Sequence, residues 1–511
     1  MAEYTLGVEL GSTRIKSVLI DSECNTVARG SFAWENKFEN GYFTYSMEDV
    51  WQGLACAVEG LLDSMDTVPD ISKIGISGMM HGYLPLGEDM EPLVPFRTWR
   101  NTTTQRAAKI LSEALEYNMP MRWSAAHLYQ AALNGEGHVN SIRLLTTLSG
   151  YVHYHLTGNI AVGMNEASGM FPFDIEKGTY KESSVGIFDR LMKQAGADIR
   201  FYDIMPRVYP AGSVAGILTE KGALLLDRRG RIRPGTPLCP PEGDSATGMI
   251  ATGSIRPGRG NVSMGTSAFA TVVTENELTD WCPEIDTAVT PDGRPVAMVH
   301  CNNCTYGINS VAGIVKEAVG LFAPGVSEGD IMTALFEESL KADAAAGGVI
   351  ACNYLSGEHI TGFEEGRPLI ACMQGAAFSL ANLMRAEIYS SLTSLAIGAK
   401  LLREKGAVPK ELVGHGGFFK TPRVAMAALS SAMKCTVTLT PDSSEGGAWG
   451  IALLASYMGR TEPLADYLDG VLAKNKMQSY TASEDEMRDF EIYLENFKKL
   501  LEVERTAVEN I

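Results

Sequence analysis

Two copies of one short pattern, 254 residues apart (265 − 11 = 254), constrain this chain more than any other feature. V-E-L-G-S-T-R-I-K-S-V-L-I from Val8 and V-S-M-G-T-S-A-F-A-T-V-V-T from Val262 align Gly11 with Gly265, Ser12-Thr13 with Thr266-Ser267, Ser17 with Thr271 and Val18 with Val272. Each copy reads as an apolar strand, a tight turn of glycine and hydroxyl residues, and a second strand, which is the signature of a β-hairpin. A hairpin repeated at that distance predicts two related domains facing one another. The competing reading is two unrelated hairpins in a glycine-rich chain.

The stretch from Pro240 to Val273 joins the second copy to an acidic turn at Asp244. A carboxylate and a phosphate-cradling turn thereby fall close together in sequence. With 511 residues the chain exceeds one hydrophobic core. Boundaries are expected at 1–252, 253–458 and a helical tail, 459–511. The net charge of −18 argues against nucleic acid or an anionic membrane as partner, because no basic field would attract either. A nucleotide stays compatible, since backbone N–H groups and a few cations hold phosphates locally. No apolar run approaches the length of a membrane span, and Met-Ala-Glu-Tyr is not a signal peptide. Nine scattered cysteines fit a reduced, cytoplasmic protein.

Along the chain, strands are expected at Tyr4 to Leu10, Ile15 to Asp21, Thr26 to Phe32 and Ile71 to Ser77. Ser46 caps a helix with Glu48 and Asp49 in its first turn and Val50, Leu54, Leu61 and Leu62 on its apolar face. Helical spacing returns at Leu144, Leu145, Leu148, Val152 and Leu156, and the basic run Arg228 to Arg233 reads as a solvated turn. In the second half a long helix from about Ala376 to Lys405 precedes the strand Glu411 to Gly414. A helix beyond Pro422, the strand Cys435 to Thr440 and a helix opened by Glu445-Gly446-Gly447 follow. Strands alternating with helices in both halves predict an α/β protein with covered sheets. Ala482 to Glu504 reads as an amphipathic closing helix on the surface.

Three turns have the chemistry of nucleotide contacts. In Gly11-Ser12-Thr13 glycine admits a phosphate to the backbone, hydroxyls and amides can donate to it, and Lys16 can supply a cation. Gly265-Thr266-Ser267 repeats that chemistry. Gly416-Gly417, between a strand and a helix, can admit a flat ring or a sugar. Asp244 can accept the proton of an attacking hydroxyl, or cap the helix that follows. Cys301-Asn302-Asn303-Cys304 has no second cysteine pair nearby and reads as a packed loop or helix entrance rather than a metal site.

The ordered set LGVELGSTRIKSVLID, GISGMMHG, TWRN, YHLTG, GDSATG, SMGTS, GHGGFFKTP and EGGAWGIALLAS, from Tyr4 to Met458, resembles the FGGY carbohydrate kinases of the actin-like ATPase superfamily, xylulokinase in particular. The resemblance implies two ribonuclease-H-like domains with ATP and Mg²⁺ in the cleft between them, and a sugar or polyol held mainly by the first. It implies transfer of the γ-phosphoryl group to a ketose hydroxyl, a pentulose such as xylulose being the first expectation. Asp244 then matches the catalytic base. Met80, His81, Trp99 and Asn101 match sugar-contacting positions. Gly11, Ser12, Thr13, Lys16, Gly265, Thr266 and Ser267 match the phosphate turns, and Gly416 and Gly417 the adenosine loop. A homodimer is a reasonable family expectation.

Four departures qualify these roles. Glu9 stands where the family usually has an aspartate that helps hold the metal, often through water. Asn101 stands where xylulokinases often have aspartate, and Glu242 where glycine is common. Phe418-Phe419 lengthens the adenosine loop. Two rivals follow: a kinase for another ketose or polyol, or an actin-like nucleotide-binding protein that phosphorylates no sugar.

Overall fold

A computed structural model describes residues 3–278, 281–323, 325–440, 446–474 and 476–511. Glu445, expected to open a helix, lies outside the described residues. The first hairpin forms as expected: β1 (Glu3–Leu10) pairs antiparallel with β2 (Arg14–Ile20), and β2 with β3 (Thr26–Ala33). The chain crosses over through α1 (Met47–Asp63) and returns as β4 (Asp70–Gly78), parallel to β1. Ser46 caps α1 by accepting the Asp49 amide hydrogen, and Val50, Leu54, Leu61 and Leu62 share a core with Leu6, Val8 and Leu10.

Between β4 and the next strand of this sheet the chain builds a helical subdomain with its own core, which includes Tyr83, Trp123, Phe171 and Phe188. Leu144 and Leu145, expected on a helix, lie instead on a short strand, Leu144–Thr146, paired with Leu84–Leu86; the helix begins at Leu148. Periodicity alone cannot separate a short apolar strand from the first turn of a buried helix. The subdomain also contains the short helix α2 (Met164–Ser168). β5 (Glu242–Gly243) then lies parallel to β4 and leads directly into α3 (Asp244–Thr252), closed by Gly253 in the left-handed region at φ 64°.

The second sheet repeats the plan. β6 (Arg259–Met264), β7 (Ala268–Val273), β8 (Asp286–Val289), β9 (Pro295–Cys301), β10 (Glu411–His415), β11 (Thr436–Leu439) and β12 (Gln478–Tyr480) run in the order β8-β9-β7-β6-β10-β11-β12. β6, β7 and β9 form the antiparallel meander and β10 the parallel return, as β1, β2, β3 and β4 do. The alignment of the hairpins needs one correction. Val8 faces Ser17, but Val262 faces Ala270 rather than Thr271. The pair Leu10↔Ile15 encloses four residues and Met264↔Ala268 encloses three, so the second strands slip by one and exchange faces.

α4 (Tyr306–Gly320) follows β9, and α5 (Leu380–Glu404) runs through the second core. α6 (Gly446–Tyr457) returns to the first lobe and covers the sheet face opposite α1; a Cβ at Gly7 of β1 would stand 2.1 Å from the Ala448 carbonyl. Together with α3 and α7 (Leu464–Leu472) it forms an apolar layer shared by both lobes, in which Val18 and Ile20 meet Val273 and Val296. The C-terminal residues are not a detached tail. β12 extends the second sheet, and α8 (Glu484–Asn510) buries Phe490, Tyr493 and Phe497 in the second core while its charged face is exposed. The basic run is likewise tied down: Arg228 makes a bidentate pair with Glu59 of α1 at 2.9 and 2.6 Å, and Arg231 pairs with Asp63 and Asp227 at 2.6 and 2.9 Å.

Candidate active site

Asp244 is the first residue of α3, and its position follows from strand pairing. Gly243 lies beside Gly78 of β4, and Gly78 beside Leu10 of β1, so the turn at Gly11, the loop at Met79–Gly82 and Asp244 sit at the carboxyl ends of three adjacent parallel strands. In open α/β sheets that edge is where ligands bind. Asp244 is open to solvent on one side and surrounded by protein on the others. Its Oδ1 accepts the Met80 amide hydrogen at 3.2 Å. Enclosure pushes the carboxyl above the ordinary aspartate range, and the amide hydrogens of Met80, Ser245 and Asp244 itself pull it back down.

The four expected sugar-contacting residues divide in two. His81 and Trp99 are presented. His81 has a left-handed backbone, φ 71°, and its Nδ1–H donates to the Gly169 carbonyl at 3.0 Å. Burial, with Arg122 nearby, pushes its imidazole down to about 3. The ring is therefore neutral, and with the proton on Nδ1 its Nε2 carries a lone pair that can accept from a hydroxyl. A Cβ at Gly169 would stand 2.8 Å from His81 Nδ1, so only glycine allows this contact. Trp99 is 41% exposed, and its Nε1 donates to Ser12 Oγ at 3.3 Å.

Met80 and Asn101 are buried. Met80 supplies its amide to Asp244 while its side chain packs under Gly169 and Gly243. Asn101 Oδ1 accepts the Phe43 amide hydrogen at 2.8 Å, and its Nδ2 donates to the carbonyls of Phe43 and Thr98 at 2.9 and 3.0 Å. That amide is committed to the backbone. An aspartate has no N–H with which to meet those two carbonyls.

The Gly11 turn is accessible and held by residues that sequence reading missed. Trp34 Nε1 donates to the Gly11 carbonyl at 2.7 Å, the Tyr45 hydroxyl to the Ser12 carbonyl at 2.5 Å, and the two rings stack at 4.2 Å. The only signal in the sequence is an aromatic-rich segment after β3, with Trp34, Phe38, Tyr42, Phe43 and Tyr45. Lys16 faces Glu9 across the hairpin. The Glu9 carboxylate reaches the first turn of α6, where a Cβ at Gly447 would stand 2.1 Å from Oε1, and Gly11 is close by, its Cβ position 3.8 Å from the same oxygen. A carboxylate between a helix N-terminus and a glycine-hydroxyl turn is a fitting donor for Mg²⁺, which takes its other ligands largely from water and phosphate.

In the second lobe, Gly265 and Thr266 are exposed and Ser267 half-buried, and the two turns at the ends of β6 and β10 are in contact. Gly416 has φ 109° and a Cβ there would lie 2.4 Å from the Met264 carbonyl, while nothing stands within 4 Å of one at Gly417. Phe418 and Phe419 are buried, Phe418 against Phe336 at 5.7 Å, so they anchor the loop and do not line it. The C-x-x-C motif lies at the entrance to α4 with both thiols buried.

Comparison with known proteins agrees with this geometry. The N-terminal domain of the FGGY family of carbohydrate kinases matches residues 4–246, and its C-terminal domain residues 260–459. The chain is 23% identical over 433 residues to a protein named xylulose kinase from Haemophilus influenzae, covering 81% of this chain and 83% of that one. Solved structures of a gluconate kinase and a ligand-bound xylulose kinase, both from Lactobacillus acidophilus, superpose with TM-scores of 0.82 and 0.81 at 16% identity. They cover 98% of both chains in the first case and 99% of both in the second. The fold is thus the two-domain actin-like ATPase fold of that family.

Proposed function

The chain belongs to the FGGY family of carbohydrate kinases and is a sugar kinase, and on that premise we propose that it transfers the γ-phosphoryl group of ATP to a ketose hydroxyl, with a pentulose such as D-xylulose as first candidate. Residues 1–252 carry the sugar and the base, and 253–458 the nucleotide. The observation that carries the reading is Asp244: a carboxylate open to solvent, oriented by the Met80 amide and set one strand away from the His81 loop and two from the Gly11 turn.

In this reading a sugar hydroxyl donates to His81 Nε2 while the ring lies against Trp99. Asp244 takes the proton of the attacking hydroxyl as its oxygen meets the γ-phosphorus. Backbone amides of Gly11–Thr13 and Gly265–Ser267 hold the phosphates with Lys16, and Gly416 and Gly417 admit the adenosine. Glu9 would hold Mg²⁺ through water, and the ion would offset charge on the transferring group. Asn101 positions the loop that presents Trp99. The lobes close about Gly253 and Met458, at the ends of α3 and α6, which excludes water and limits idle ATP hydrolysis.

The commitment of Asn101 to the backbone favours a second reading within the same chemistry, an acceptor other than xylulose. A coupled ADP-release assay over D-xylulose, D-ribulose, D-fructose, gluconate and glycerol separates the two. Asp244→Asn should lower turnover about 10²- to 10⁴-fold with ATP binding nearly intact. Unchanged turnover removes Asp244 from the chemistry, and silence across the panel with ATP still bound moves weight to an acceptor outside the panel or to the non-kinase reading.

A further inference from the structure

Glu242 lies two residues before Asp244, on the strand that delivers it, and is 2% exposed. Its Oε2 accepts the Glu166 amide hydrogen at 2.9 Å, and the Asn165 amide also donates to the carboxyl. Those two amides open α2, whose own N-cap is Gly163 and offers no side-chain acceptor. A Cβ at Gly163 would stand 2.1 Å from Glu242 Oε1, so glycine at that cap makes room for the carboxyl. Glu242 therefore caps α2 from a different part of the chain.

What α2 touches gives the contact its meaning. Gly169, directly after it, accepts the His81 hydrogen bond at 3.0 Å. Asn165 Nδ2 donates to the Val289 carbonyl at 2.7 Å, and Ser168 Oγ accepts the Val289 amide hydrogen at 3.1 Å, so the same helix grips β8 of the second lobe. The Glu166 side chain lies over the turn before the base: a Cβ at Gly243 would stand 2.5 Å from its Oε2, and Oε1 accepts from Ser149 Oγ at 3.2 Å. Burial pushes the Glu242 carboxyl up to about 8 and that of Glu166 well above its ordinary value, which disfavours a charged pair beside Asp244.

We infer that Glu242 is a positioning residue: by accepting the amide hydrogens that open α2, it fixes the distance between the carboxylate that takes the hydroxyl proton and the imidazole that holds the sugar. The inference rests on the roles given above to Asp244 and His81. It also gives the departure from glycine at this position a function, since a residue without an acceptor leaves α2 uncapped and His81 tied to a looser element.

The test uses the full chain with Glu242→Ala, Glu242→Gln and Asp244→Asn, each assayed with the panel acceptor giving the greatest ADP release. Glu242→Ala should lower kcat/KM for that acceptor about 10²-fold, the scale of a misplaced reacting group, with KM for ATP within about twofold. Glu242→Gln keeps an acceptor oxygen and should recover about tenfold of that loss. Amide exchange over residues 161–172 should speed up in the alanine variant and stay close to the parent in the glutamine variant, a readout independent of the acceptor. Undiminished kcat/KM in Glu242→Ala, unchanged exchange at Asn165 and Glu166, or equal losses in the two Glu242 variants would each overturn the inference. Full activity in Asp244→Asn alongside an impaired Glu242→Ala would instead fault the assignment of the base and leave the cap standing.

Discussion

The Gly11 and Gly265 turns share a sequence pattern and are held in place by different means. In the first lobe, side chains from elsewhere in the chain add to one outside backbone bond, from the Trp34 amide to the Thr13 carbonyl at 3.2 Å: Trp34 Nε1 donates to the Gly11 carbonyl, Tyr45 to the Ser12 carbonyl and Trp99 to the Ser12 hydroxyl. In the second, backbone does the work. The amides of Cys304 and Thr305, at the entrance to α4, donate to the carbonyls of Thr266 and Gly265 at 2.9 and 3.2 Å, and Gly416 packs against Met264. Side-chain supports can be altered by substitution without rebuilding a loop. Backbone supports fail only when the backbone is forced to move. The first-lobe turn is therefore open to tuning from a distance, whereas the second-lobe turn is insensitive to most substitutions and intolerant of a few.

The largest effect should come from breaking the backbone support. At Gly416, φ 109° and ψ 177° lie in a region that side chains other than glycine's rarely enter, and the added Cβ of Gly416→Ala would meet the Met264 carbonyl at 2.4 Å. Strain of about 1–3 kcal/mol is expected, delivered at the loop proposed to admit the adenosine. Titration calorimetry should show ATP affinity falling about tenfold or more, and sugar binding without nucleotide should be unchanged. Normal ATP affinity would mean that the loop does not depend on the Gly416–Met264 contact.

On the sugar side, the corresponding change is Asn101→Asp. The carboxylate loses the two donors that meet the Phe43 and Thr98 carbonyls and places negative charge against both. Burial with unsatisfied partners costs about 1–3 kcal/mol, read as a lower thermal midpoint that falls further as pH rises and the group ionises. A gain of activity toward D-xylulose without loss of stability would place Asn101 in the sugar-contacting set.

Much of the architecture was legible because it rests on local pattern. The repeated Gly-hydroxyl turns, the Ser46 cap and the alternation of strands and helices follow from propensity and period, and Asp244 was marked by its place between a strand and a small-residue helix. The sequence was silent on whatever depends on which distant residues meet. Trp34, Tyr45 and the α2 cap draw on residues up to 76 positions apart. The one-residue slip between Ser17 and Thr271 was hidden because it depends on how many residues each turn encloses, four in the first hairpin and three in the second. Arg228 to Arg233 is a largely exposed turn, as expected, but its pairing was not legible because Glu59 and Asp63 lie far upstream on α1.

The finest test of the two modes of support is a matched pair of single-group deletions. Tyr45→Phe removes one hydroxyl and with it the hydrogen bond to the Ser12 carbonyl, leaving the stack on Trp34 intact. About 0.5–1.5 kcal/mol should be lost, appearing as a several-fold rise in KM for ATP with kcat little changed. Thr305→Val removes the hydroxyl of a residue that supports the second turn, but that support comes from its amide; the hydroxyl only accepts from Asn309 Nδ2 at 3.3 Å and caps nothing. A change within about 0.5 kcal/mol in stability and no measurable change in KM for ATP are therefore expected. Should Thr305→Val weaken nucleotide binding as much as Tyr45→Phe, the second turn would prove to rely on side chains as well, and the contrast between the lobes would reduce to the extra residue in the first hairpin.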